Sequence, residues 1–124
     1  MKYCRKCSSF KPRDQFVLDP RTRDGHRGTC KSCGRAYVRS YISTLRHKAL
    51  SALGNQCFKC GFSDYRALQI DHINGGGLAH RKKLGSGTGY YRSILKDLSR
   101  YQLLCANCNW IKRYDNQENR RILT

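Results

Sequence analysis

The chain is short of acid, of apolar bulk and of proline. Its 124 residues hold 8 Asp and Glu, one Trp, one Met and two Pro, and 39% are hydrophobic. That length makes one ordinary domain or two very small ones, and so little apolar content cannot build a sufficient core unaided. No apolar run approaches the roughly 18 residues of a membrane helix. The N-terminal stretch MKYCRKCSSF lacks the apolar segment of a secretory signal. These absences predict a cytoplasmic chain, one without a membrane partner, in a compartment where thiols stay reduced rather than pairing as disulfides.

Cysteine and positive charge are abundant instead. All eight cysteines fall into four Cys-x2-Cys pairs: Cys4/Cys7, Cys30/Cys33, Cys57/Cys60 and Cys105/Cys108. A knuckle of this spacing points two thiolates at one ion, so two pairs complete a tetrahedral zinc site. Two structural Zn2+ are therefore expected, one on Cys4, Cys7, Cys30 and Cys33, the other on Cys57, Cys60, Cys105 and Cys108. They would stand in for the missing core. The 25 Lys and Arg set a formal net charge of +17. Eight thiolates remove about 8 of it and two dications return about 4, leaving about +13, a self-repulsion that a polyanion relieves. Nucleic acid is the expected partner. No helix sets a large apolar face against the charge, so a membrane surface is not.

Residues 1–34 read as a first unit, with 22 residues between Cys7 and Cys30, close to ribbon spacing. Turn signals stand at Lys11-Pro12-Arg13, Asp19-Pro20 and Asp24-Gly25, with a short strand expected at Gln15–Leu18. Residues 35–54 read as a linking helix. Tyr37, Val38, Tyr41, Ile42, Leu45, Ala49, Leu50 and Leu53 recur at helical spacing, and Gly54-Asn55 ends it. Arg39 and Arg46 on its polar side are expected to lie along phosphates.

The second unit covers 55–116. Its knuckles stand 44 residues apart, too far for a simple ribbon, so something is inserted between them. Leu68–Ile73 alternates like a strand. A glycine-rich loop is expected next, carrying His80, Arg81, Lys82 and Lys83. Tyr90–Leu98 should be helical, Tyr101–Leu104 a strand, and 108–116 a helix. Residues 117–124 form a polar tail.

The most specific residues lie in that insertion and at its close: Asp71-His72, and Asn109 directly after Cys108. Phosphodiester hydrolysis needs a water deprotonated near phosphorus and a leaving oxygen whose charge is neutralised; one divalent ion and one base suffice. Asp71 offers the hard oxygen that Mg2+ prefers. Asn109, in the first turn of a helix beside a zinc-bound cysteine, can present its amide oxygen to the same ion. Neighbouring strand side chains point to opposite faces, so Asp71 and His72 serve one site only where the strand ends or distorts. The glycines after Asn74 allow that.

The stretch from Asn55 to Asn116 resembles the HNH (ββα-metal) nuclease family. The likeness rests on Cys57-x2-Cys60, on Ile70-Asp71-His72-Ile73, and on Leu103-Leu104-Cys105-Ala106-Asn107-Cys108-Asn109 with Lys112 following. It implies an α+β fold: a small zinc-stabilised ββα-metal core preceded by a zinc-knuckle unit and a linking helix. It makes His72 the general base, Asp71 and Asn109 the ligands of a catalytic Mg2+ or Mn2+, and the zinc a separate structural ion. The family's middle Asn is missing: its position falls on Arg100 or Tyr101, which bears on the loop geometry, with Asn74 as a substitute. Some family members, among them rare-cutting restriction enzymes, carry two four-cysteine sites, and small phage-encoded members have similar glycine-rich loops.

The activity so implied is metal-dependent DNA cleavage, of one strand by one copy or of both by a homodimer. Arg81, Lys82, Lys83, Lys112 and Arg113 are the expected phosphate contacts. His26, His47 and His80 are expected on the surface; the other readings are a ligand of the first zinc for His26, and orienting the phosphate or stabilising the leaving group for His80. A different class of function, a non-catalytic zinc-ribbon nucleic-acid binder, would use the same charge and the same zinc sites.

Overall fold

The computed structural model describes residues 1–118; residues 119–124 of the expected polar tail lie outside them. The chain is mixed α+β, with four helices and three two-stranded antiparallel sheets among the described residues. It divides into two compact units, Met1–Tyr41 and Ile42–Thr124. No helix among the described residues is long and apolar enough to cross a membrane.

The first unit is built on its cysteines. Strands β1 (Lys2–Cys4) and β2 (Ser9–Lys11) form a hairpin whose turn carries Cys7. Strand β3 (Phe16–Leu18) pairs with β4 (His26–Cys30), and Cys30 leads directly into helix α1 (Lys31–Ala52). Helix α1 therefore starts four residues before the expected position 35, because the knuckle itself forms its first turn and Cys33 sits in that turn. The buried cluster consists of Cys4, Cys30 and Phe16, with Cys33 against it. Buried Asp19 organises the turn between β3 and β4: it accepts from the Arg21 backbone N–H at 3.1 Å and from the Arg21 guanidinium at 2.9 Å twice.

The second unit has an apolar core. Strands β5 (Leu68–His72) and β6 (Tyr101–Cys105) pair over their whole length, from Leu68 opposite Cys105 to His72 opposite Tyr101. Helices α2 (Gly77–Leu84), α3 (Thr88–Lys96) and α4 (Ala106–Asp115) complete the unit. One cluster joins Leu50, Leu68, Leu103 and Leu104 to Cys57 and Cys105; a second joins Ala49, Tyr90, Ile94 and Tyr101. The period of two then leaves Gln69 and Asp71 for the opposite sheet face, where α4 lies.

Helix α2 corrects the expected glycine-rich loop. Gly75 and Gly76 (φ 76 and 87°) turn the chain into the helix and Gly85 (φ 72°) ends it, so the glycines punctuate a helix rather than dissolve one. Arg81, Lys82 and Lys83 are exposed on α2, but His80 is half-buried.

Candidate metal centres and active-site cleft

In each unit the four cysteine sulfurs lie within 4.8 Å of one another: Cys4, Cys7, Cys30 and Cys33 in the first, Cys57, Cys60, Cys105 and Cys108 in the second. Four thiolates about 2.3 Å from one tetrahedral ion stand roughly 3.8 Å apart. The Cys60 and Cys105 sulfurs are 3.7 Å apart, far beyond a covalent bond. The donor sets therefore fit two zinc ions. His26 is not needed for the first: its Nδ1 stands 3.0 Å from the Asp24 carbonyl.

Local structure prepares these sulfurs. The Cys30 N–H donates to the Cys4 sulfur at 3.3 Å, and the Cys108 N–H to the Cys105 sulfur at 3.4 Å, where Cys105 caps α4. Hydrogen bonding from Ser32 and from the Cys33 backbone holds the Cys30 thiol down to about 5. Cys33, bonded to Cys30 and desolvated, is pushed up to about 12. In the second group burial raises Cys57, but the backbone N–H groups of Cys105, Cys60 and Lys59 outweigh it and hold it at about 6. The Cys105 bond and burial push Cys108 up to about 12. Without a cation, four adjacent thiols cannot all ionise; a dication removes that conflict.

A cleft of about 630 Å³ in the second unit is lined by Gln69, Asp71, His72, Gly77, Asn109 and Arg113, among others. The three residues singled out from the sequence thus share one cleft. Strand alternation still holds: Asp71 faces α4, and His72 faces α2 and α3. Both reach the cleft because β5 ends at His72, where the His72 carbonyl accepts from the Gly75 N–H at 2.9 Å.

Asp71 is 7% exposed and accepts from Gln102 Nε2 at 2.8 Å and from the Lys112 ammonium at 3.0 Å. Lys112 also donates to the His72 carbonyl at 3.0 Å. Asn109 is 8% exposed; its Nδ2 donates to Gln69 Oε1 at 2.6 Å. Its Oδ1 is the one buried side-chain oxygen among the described residues without a hydrogen-bond partner. Such an orphan costs about 1–3 kcal/mol unless a ligand satisfies it. A carboxylate and an orphaned amide oxygen in one cleft suit a hard dication, although Lys112 already balances the carboxylate.

His72 Nε2 lies 2.8 Å from His80 Nδ1, and His80 Nε2 lies 3.1 Å from Ser93 Oγ on α3. Burial lowers the His72 pKa first, then the neighbouring His80 charge. Asp71 opposes this, while Arg81 and Lys112 add to it. The shift favours the neutral imidazole, the form a proton acceptor needs. His80, expected on the surface, was misplaced because α2 offers little apolar periodicity; Ser93, Gln69 and Gln102 carried no signal of their own. Where the resemblance places a middle Asn, the Arg100 carbonyl accepts from the Ile73 N–H at 3.0 Å and Tyr101 is buried edge-on against the His72 ring; Asn74, the expected substitute, is exposed.

The expected nucleic-acid contacts separate. Arg81 and Arg113 line the cleft, and Lys82, Lys83 and Arg39 are exposed. Arg46 donates to the Leu68 carbonyl at 2.9 Å, which gives it a structural task, and Lys112 is engaged as described. No family model, curated protein or solved structure matches the chain.

Proposed function

We propose that the protein is a metal-dependent DNA endonuclease of the HNH (ββα-metal) type, with its active site in the cleft of the second unit. The observation that carries this reading is that His72, buried Asp71 and Asn109, whose Oδ1 has no partner, line one cleft. His72 takes a proton from the attacking water. Asp71 and Asn109 would hold Mg2+ or Mn2+, which supplies charge stabilisation at the phosphorus and at the departing 3′ oxygen. Arg81 and Arg113 draw the phosphate backbone into the cleft. The zinc ions are structural and separate. One such site cuts one strand, so double-strand cleavage requires a second copy.

The test is plasmid cleavage with Mg2+ or Mn2+ against a chelator control. We expect His72→Ala to lower the rate by about 10²–10⁴-fold, the usual worth of a general base. DNA affinity and zinc content should stay unchanged. Wild-type cleavage rates in that variant would remove His72 from the mechanism.

A second reading is a zinc-ribbon nucleic-acid binder without activity. It is favoured by Lys112, whose ammonium already satisfies Asp71 within the fold. Strong DNA binding with no nicking under any divalent ion would establish it.

A further inference from the structure

We propose that His80 is a positioning residue for His72: it engages Nε2, so that Nδ1, above the bare face of Gly77, is the nitrogen that takes the proton. The proposal rests on the nuclease reading and assigns within it a residue, an atom and a tautomer.

The chain His72 Nε2–His80 Nδ1–Ser93 Oγ has contacts of 2.8 and 3.1 Å. Tyr101 packs edge-on against the His72 ring at 4.9 Å between centroids, and Tyr90 lies 4.7 Å from the His80 ring. Both rings are therefore confined. A neutral imidazole has one N–H and one lone pair, so the chain has two possible polarities. A helical serine commonly gives its hydroxyl proton to a carbonyl one turn back, which leaves its oxygen to accept. His80 Nε2–H then donates to Ser93, His80 Nδ1 accepts from His72 Nε2–H, and the His72 lone pair stands on Nδ1.

Gly77 lies against the Nδ1 edge of the same ring. A Cβ placed there would stand 3.0 Å from His72 Nδ1 and 3.4 Å from its Cε1. Gly77 has no positive φ, so the backbone does not demand glycine at this position. Glycine at this position keeps any Cβ from crowding Nδ1. In the reaction, the water O–H bond breaks as Nδ1–H forms. The hydroxide pair makes the new P–O bond, the P–O3′ bond breaks, and the 3′ oxygen leaves with the electron pair of that broken bond and takes a proton from solvent. The resulting imidazolium donates through Nε2–H to His80.

The experiment combines steady-state cleavage with ring ¹⁵N NMR of His72 in the zinc-loaded full chain. Wild type should show His72 protonated on Nε2, and His80→Ala a mixture of tautomers. We expect His80→Ala to lower kcat by about 10–100-fold with KM and zinc content unchanged, a fraction of the base's whole effect. His80→Asn places an amide oxygen where Nδ1 stood and should recover most of that rate; His80→Gln should not. Gly77→Ala should lower kcat in the same way. Protonation on Nδ1 in wild type, or wild-type kcat in His80→Ala, overturns the proposal. Absence of any Mg2+- or Mn2+-dependent cleavage by wild type overturns instead the nuclease reading on which it stands.

Discussion

The two four-cysteine units use one joint and differ in what surrounds it. In both, a strand ends on a cysteine and a helix begins at once, with the last cysteine in its first turn: Cys30 into α1 with Cys33, and Cys105 into α4 with Cys108. The first unit adds Phe16 to the sulfurs and little else. The second spends its long insertion on β5, α2 and α3, and gains two apolar clusters and a cleft. The same joint that only closes the first unit positions Asn109 in the second. A metal can thus be the whole core or one corner of it, and the cleft is found where other packing shares the task.

The largest effect expected to separate the units is metal removal. Structural zinc contributes on the order of 10 kcal/mol in small domains at neutral pH, because its site does not exist in the unfolded chain. With excess chelator, amide exchange across β1–β4 should reach the unprotected rate. Strand β6 and helix α3, around Ile94 and Tyr101, should keep measurable protection. Equal loss in both units would erase the distinction.

Core truncation sharpens it at a smaller scale. Ile94 is 0% exposed and belongs to the cluster that contains no cysteine. Ile94→Ala should cost about 2–5 kcal/mol in a urea titration while leaving zinc affinity unchanged. Phe16, 2% exposed, packs with Cys4 and Cys30. Phe16→Ala should show itself as weaker zinc retention against a competing chelator. If Phe16→Ala leaves retention intact, the first unit has support that its buried cluster does not reveal.

These contrasts also mark what could be read from the residues alone. The four Cys-x2-Cys pairs named both donor sets because thiolate geometry needs so little context. Alternation over Leu68–Ile73 marked β5, while Tyr101–Leu104 was read as a short strand leading into Cys105, and β6 is buried on both faces. Helix α2 was not legible: three of its eight residues are Lys or Arg, none is buried, and glycines at both ends resemble a loop. His80 was lost with it, since a histidine's partner depends on how α2 and α3 pack. Nor could spacing show that Lys112, one turn beyond Asn109, holds Asp71 by both oxygens.

That ion pair gives the next prediction. The first unit has no counterpart to a charge pair at the wall of a cleft, with side chains 18% and 7% exposed. Lys112→Met leaves Asp71 without its cation and should destabilise the second unit by about 1–3 kcal/mol in thermal melts. On the nuclease reading added Mg2+ restores part of that loss, because a dication binds the freed carboxylate. On the binder reading Mg2+ does nothing.

The smallest predicted difference concerns a device the units share. Asp19 accepts from the N–H and guanidinium of Arg21, and Asp64 does the same with Arg66. Both carboxyls are held at about 2, chiefly by the arginine hydrogen bonds, against an ordinary 3.8. A depressed folded value means the stabilisation is complete above 3.8 and fades as pH falls through about 2. Across the zinc-bound range, where the thiolates remain ionised, both charges are therefore fully present. Asp19→Asn and Asp64→Asn should each lower the urea midpoint by an amount that does not change between pH 8 and pH 6. Asp19→Asn should be the larger, since the Asp19 side chain is 12% exposed and that of Asp64 36%. Its loss falls on the unit with no apolar reserve, so zinc retention by that unit should weaken with it. An equal or reversed order would mean that burial of the carboxylate does not set the worth of this turn, and that the first unit draws its rigidity from the sulfurs alone.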